Sequence, residues 1–156
     1  MALDLHLSIY VSPAAEWTVD YCDEGYRHLT SGVDNLIVST ALSVGEIYDR
    51  PLSPAKLLVV TNIPLGRGLG SSAAAIAGGI EIADRLLGLN LPIKEKVKIG
   101  SAMEGHPDNV SASFLGGLTI SYFDDNELEV IHVPQVDIGV VILVPSTEFL
   151  TTESRG

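Results

Sequence analysis

The chain is poor in cysteine, in basic residues and in aromatics, and each shortage removes a class of explanation. Cys22 is the one cysteine among 156 residues, so no disulfide framework holds the fold together and a reducing compartment is the expected setting. With Asp23 and Glu24 beside it, its thiol lacks the electropositive surroundings of a reactive cysteine. Nine Lys and Arg stand against twenty Asp and Glu, a formal charge of −11, which excludes the clustered positive charge of a nucleic-acid surface. A small anionic ligand is still allowed, because backbone N–H groups at a helix start hold phosphate without side-chain cations. The longest apolar run, IGVVILV at residues 138–144, is far shorter than the ~18 residues that a membrane span needs. No signal-peptide pattern stands near Met1, so no membrane association and a cytoplasmic address are expected.

What is present is a folding composition: 46% hydrophobic and 19% charged residues, without repeats or low-complexity stretches. The length is near the rough prior of about 150 residues per domain, so one compact domain, or one domain with a stub, is expected. Residues 3–11, LDLHLSIYV, alternate in period two and predict a half-buried strand that begins almost at Met1. Residues 31–48 predict a helix with Asp34 near its start, Ile37, Ala41, Val44 and Tyr48 on one face, and Pro51 beyond its end. Residues 56–61 predict a short buried strand. Residues 71–87 give the best helical stripe, Ile76, Ile80, Ala83 and Leu87, with Glu81 and Arg85 paired four apart and Gly88 as the stop. A second, more polar helix is expected over 92–103, then β-like runs over 117–123, 128–133 and 138–144, and a Thr-capped helix start in LTTESRG.

The chemistry concentrates in two places. The first is PLGRGLGSSAA, residues 64–74, between the predicted strand and the best helix. A Walker A loop would need Lys before its Ser or Thr, and none is there. Gly68, Gly70 and Ala73 satisfy the dinucleotide fingerprint formally, but the loop from Asn62 to Arg67 is too long and no ribose-binding acid follows on a later strand. A purely structural reading, in which Gly and Ala merely let a helix pack closely, competes with both. The whole string favours an anion cradle: Pro64 stiffens the approach, Gly66, Gly68 and Gly70 allow the backbone near a ligand, and Ser71 and Ser72 place hydroxyls on a first helical turn. A serine oxygen with a carboxylate from elsewhere would suit Mg²⁺, which keeps few protein ligands and shares substrate phosphates. The second place is MEGHPDNVSASFLGGL, residues 103–118, with Glu104, His106, Asp108 and Asn109 inside six positions. One His without Cys is weak support for zinc. A capped turn in which Asp108 or Asn109 opens a helix is the simpler alternative.

PLGRGLGSSAA resembles the second motif, P-x-x-x-G-L-G-S-S-A-A, of the GHMP small-metabolite kinases, named for galactose, homoserine, mevalonate and phosphomevalonate. HPDN followed by a small-residue helix start and LGG is similar to the homoserine kinase family within it. VPSTEFLTTESRG resembles that family's third ordered segment, with Thr151 and Arg155 in spacing and Leu150 where a Ser is usual. The resemblance implies an α+β fold, a two-layer kinase N-terminal domain whose mixed or antiparallel sheet packs on helices. This domain would occupy residues 1–145, without its first strand and first motif. Residues 146–156 would begin a C-terminal ferredoxin-like domain that is largely missing, so the chain would be an N-terminal-half fragment with little kinase activity of its own.

It further implies ATP and L-homoserine as ligands, Mg²⁺ as cofactor, and transfer of the γ-phosphoryl group to the homoserine hydroxyl for threonine synthesis. Pro64, Leu65, Gly66, Arg67, Gly68, Leu69, Gly70, Ser71 and Ser72 would wrap the phosphates, and Ser72 and Glu104 would hold the metal. Glu104, Asp108 and Asn109 would form the catalytic set, with Asp108 and Asn109 as positioning groups and no named general base. His106, Asp108, Asn109, Thr151 and Arg155 would line the amino-acid pocket, the Arg155 fork taking the carboxylate. A homodimer stays open. The alternatives are another kinase of the superfamily, for mevalonate or shikimate, and a nucleotide-binding module without catalysis. Trp17, His6, His28 and His132 are expected to be structural, and Arg67 is expected to be an exposed loop residue.

Overall fold

The computed structural model describes residues 1–125, 127–135 and 139–144. Strand β1, Leu7–Pro13, runs antiparallel to β3, Ala55–Thr61, which in turn pairs in parallel with β2, Thr18–Tyr21. The result is a mixed sheet in the order β1-β3-β2. β3 is central because it alternates cleanly: Ala55, Leu57 and Val59 point into the core while Lys56, Leu58 and Val60 face out. Helices α1, Leu36–Ile47, and α2, Ser71–Leu87, form the second layer on the inner face, where Ile37, Val38, Ala41 and Val44 meet Ile76, Ile80 and Ala83.

Helix α2 is the axis of the domain and touches α1, β1, α3 (Ile93–Glu104) and α4 (Asp108–Leu115). Its approach to α1 depends on Gly79, where a Cβ would lie 2.5 Å from the Ile37 carbonyl oxygen and 2.6 Å from the Thr40 Cβ. The small residues after the serines therefore let helices pack, which is the structural reading of the glycine cluster, realised about two turns beyond the loop. Buried Lys96 of α3 completes the α2–α3 contact, its Nζ lying 2.7 Å from Asp84 and 2.6 Å from Glu81. The antiparallel hairpin of β4, Leu118–Asp124, and β5, Glu127–Val133, forms a separate two-stranded sheet in which β4 lies beside α4 and Leu128 of β5 is buried.

Several expected boundaries move. The first strand begins at Leu7 rather than residue 3, because Leu7 pairs with Thr61, the last residue of β3. Leu3 and Leu5 are half-buried without belonging to the ladder, so burial alone produced their alternation. The helix expected from residue 31 starts at Leu36, after a short 3₁₀ turn at Gly32–Asp34, and its cap is Asn35, whose Oδ1 accepts from the Ile37 amide at 3.0 Å. Strand β2 was not expected. Its four residues carry little pattern, and Ser31 fixes it by accepting from the Val19 amide at 2.9 Å and donating to the Val19 carbonyl. The strand expected over 138–144 is corrected for its described part: residues 139–144 belong to no strand, and Val141 and Leu143 are about nine-tenths exposed. The LTTESRG helix start and the proposed division near residue 145 lie outside the described residues.

Candidate functional site

The loop between β3 and α2 is fixed at its start by side-chain hydrogen bonds and at its end by backbone conformation. Where the chain leaves β3, the Asn62 Oδ1 accepts from the His6 amide at 2.7 Å and the Thr61 hydroxyl accepts from the Ile63 amide at 3.2 Å. The Ile63 carbonyl accepts from the hydroxyl of buried Tyr26. Burial, reinforced by the charge of Asp23, raises the Tyr26 phenol above its ordinary pKa, so it stays a donor at neutral pH. At the other end Gly70 caps α2 with φ of +76°, a left-handed conformation that an L side chain rarely adopts. Gly66 and Gly68 share that conformation, and a Cβ on Gly68 would meet nothing within 4 Å. Here the glycines serve backbone shape, in contrast with Gly79. Pro64, Leu65, Gly66 and Arg67 are half-buried, so Arg67 is not the exposed loop arginine expected from the sequence.

The second constellation folds onto this loop through a corner. Helix α3 ends at Glu104, Gly105 turns the chain with φ of +86°, and α4 starts at Asp108. The corner carries Glu104 back to α2, where the Ser72 hydroxyl donates to its Oε1 at 2.6 Å across 32 positions of sequence. It also sets the Asn109 side chain against Gly70, about 3.5 Å from where a Cβ would stand. Asp108 Oδ1 is 2.6 Å from the His106 Nδ1 and accepts from the Asn109 amide at 2.7 Å, which orients the imidazole. Ser72, Glu104, Asn109 and the loop are therefore brought together, with the His106–Asp108 pair on the same corner. Thr151 and Arg155 lie outside the described residues.

Two cavities flank the loop. A wide cleft of about 1120 Å³ is lined on this side by Gly68, Leu69, Gly70, Asn109 and Ser113, and extends over the apolar side of β1. A smaller pocket of about 310 Å³ lies at the starts of α1 and α2, lined by Tyr21, Tyr26, Asn35, Leu65, Ser71 and Ser72 among others, and shares Leu7 and Ile63 with the cleft. Ser72 lines the small pocket, with its hydroxyl on the Glu104 carboxylate. Sequence reasoning missed Tyr21, Tyr26 and Asn35. Asn35 could have been found from an Asn directly before the apolar run LIV, a cap signal.

Among the described residues no three His, Cys, Asp or Glu converge as a metal cluster. The Ser72–Glu104 pair offers two oxygen donors, which fits a hard cation completed by phosphate and water but not a protein cage. No described helix is long and apolar enough to cross a membrane.

A strand, a glycine loop and a helix bearing two serines, met by the α3–α4 corner, match a known domain class. The family model for the GHMP kinases N terminal domain covers residues 35–117, just over half of the chain, and the chain belongs to that family. Within it, the chain is 42% identical over 155 residues to a Bacillus velezensis homoserine kinase, covering 99% of this chain and 50% of that protein. A solved Listeria monocytogenes structure, assigned as a homoserine kinase, superposes with a TM-score of 0.75 at 32% identity, covering 97% of this chain and 55% of that one. The homoserine kinase of Cytophaga hutchinsonii shares the fold, with a TM-score of 0.67 at 20% identity over 96% of this chain and 50% of its own. The chain spans about half the length of the curated relatives it matches.

Proposed function

We propose that this chain is the nucleotide-holding part of a homoserine kinase, which moves the γ-phosphoryl group of ATP onto the side-chain hydroxyl of L-homoserine. The observation that carries the reading is the Ser72–Glu104 contact at the start of α2, beside a loop whose residues line two cavities. The small apolar pocket suits a planar base, and residues 65–72 would receive the phosphates on their amides at the positive end of α2. The wide cleft beside Asn109 would admit the acceptor. Phosphoryl transfer asks the protein mainly to align the two oxygens with phosphorus and to stabilise the spreading charge, so positioning groups suffice.

In this reading Ser72 and Glu104 would hold Mg²⁺, which would supply positive charge against the phosphates. Asn109 and the Asp108-oriented His106 place the homoserine hydroxyl, with Thr151 and Arg155 assigned to the rest of the amino acid. A bond forms from that hydroxyl oxygen to phosphorus, the bridge to the β-phosphate breaks, ADP leaves, and the hydroxyl proton is released. Substrate choice rests on the kinship with homoserine kinases at 40–44% identity. The acidic, lone-cysteine composition fits a cytoplasmic enzyme that needs no nucleic acid or membrane, and residues 1–145 are proposed as its N-terminal domain.

Titration calorimetry with a non-hydrolysable ATP analogue tests the reading. Binding should tighten with Mg²⁺, and Ser72→Ala should remove that gain. Equal affinity with and without Mg²⁺, or an unaffected Ser72→Ala variant, would reject the metal assignment, and no nucleotide binding by the folded chain would reject the reading as a whole.

A further inference from the structure

The Ile63 carbonyl raises a question that the proposed reaction does not answer. It lies where the chain leaves β3, on a residue only 6% exposed, and the next residue, Pro64, has no N–H to share in a turn. A buried carbonyl needs a donor, and the donor is a side chain 37 positions away, the Tyr26 hydroxyl. Tyr26 is itself held in place. Its ring stacks on Tyr21 with centroids 5.9 Å apart and planes 14° from parallel. The Tyr21 hydroxyl accepts from the Asn35 Nδ2 at 3.0 Å, and the same Nδ2 donates to the Thr30 carbonyl at 2.7 Å while Oδ1 caps α1. A continuous relay therefore joins the start of α1 to the start of the glycine loop. Tyr21, Tyr26, Asn35 and Ile63 all line the 310 Å³ pocket, which opens onto Ser71 and Ser72.

We propose that Tyr26 is a positioning residue: through the Ile63 carbonyl it sets where the glycine loop leaves the sheet, and so registers phosphates at the loop against a base in the pocket. This rests on the reading of the loop as an ATP phosphate site. A ligand that fills only the pocket meets the relay but has nothing to be registered. A ligand that spans pocket and loop binds well only when the two stand at the correct separation. The other polar bonds of the loop's start, from Thr61 and Asn62, hold amides and a neighbouring strand but leave that carbonyl to Tyr26 alone among the described contacts.

The test is Tyr26→Phe, which keeps the ring and its stack on Tyr21 and deletes only the hydroxyl. Hydrogen exchange of the amides of residues 65–72 in the free chain should speed up by about five- to tenfold, as for loss of one neutral hydrogen bond, with α3 unchanged. Affinity for the non-hydrolysable ATP analogue should fall by a similar factor, while adenosine, which fills the pocket alone, should change less than twofold. Equal losses for both ligands would make Tyr26 a pocket wall and overturn the proposal. So would unchanged loop exchange with unchanged affinity. Wild-type chain that binds neither ligand would defeat the ATP reading itself, and the positioning role with it.

Discussion

Lys96 offers the most quantitative test of how the site is assembled, because it joins the helix that bears Ser72 to the helix that ends in Glu104. Its Nζ lies 2.7 Å from Asp84 and 2.6 Å from Glu81, and the Lys96 and Asp84 side chains are each 10% exposed. Lys96→Met keeps the volume of the stem and strands the Asp84 carboxylate. Breaking a buried pair by removing one partner costs about 3–5 kcal/mol. Asp84 retains the Leu91 amide at 3.0 Å, and Glu81 is one-third exposed with Arg85 at 3.4 Å, so the low end, about 3 kcal/mol, applies.

With a urea dependence of about 1–3 kcal/mol per molar, the midpoint of unfolding should fall by about 1–3 M. Replacing Asp84 by Leu as well should recover part of the loss, since the stranded charge goes with it. The pH profile carries the same signature. Burial alone would push the Asp84 carboxyl up, but the Lys96 and Leu91 hydrogen bonds override it and hold its pKa below 3.8. Burial likewise disfavours the Lys96 ammonium, and its bonds to Asp84 and Glu81 raise its pKa above 10.5. The carboxylate contributes stability above its unfolded pKa and loses it as pH falls through the depressed folded value. The ammonium contributes below its unfolded pKa and loses it as pH rises through the raised one. The advantage of wild type over Lys96→Met should therefore hold through neutral pH, shrink as pH falls into the acid range where the stranded Asp84 of the variant takes up a proton, and shrink again as pH rises through the raised Lys96 value. A midpoint shift under about 0.3 M, or a difference that varies through neutral pH, would refute the reasoning.

Three further outcomes follow from other contacts. Gly79→Ala should destabilise by about 1–3 kcal/mol in thermal unfolding despite its better helix propensity, because the added carbon meets the Ile37 backbone of α1. Gly68→Ala has open space around it but a φ of +70°, so it should cost about 1 kcal/mol in stability and weaken the ATP analogue at least tenfold by calorimetry. Asn35→Ala removes the α1 cap and the partner of the Tyr21 hydroxyl, and should cost about 2 kcal/mol in urea unfolding.

Helix α2 and the glycine loop were legible because their signals are local: apolar residues recur every three or four positions, and the glycines sit between a buried strand and two serines. Strand β2 was not, since four residues owe their extension to a partner strand more than thirty positions away. The start of α1 was blurred by the turn at Gly32–Asp34, which holds helix-like residues before the true cap. At the site, residues 64–72 and the cluster from Glu104 to Asn109 stood out as two separate strings. Their meeting through the Gly105 corner, and the pocket walled by Tyr21 and Tyr26, are tertiary facts that no spacing encodes.

The central claim is that the loop lines both a nucleotide pocket and an acceptor cleft, and amide chemical-shift mapping of the labelled chain tests it most directly. A non-hydrolysable ATP analogue with Mg²⁺ should move residues 65–72 together with Tyr21, Tyr26 and Asn35, and added L-homoserine should then move residues 106–113. Nucleotide shifts that spare both the loop and the small pocket, or homoserine shifts confined to the Tyr21 side, would contradict the account.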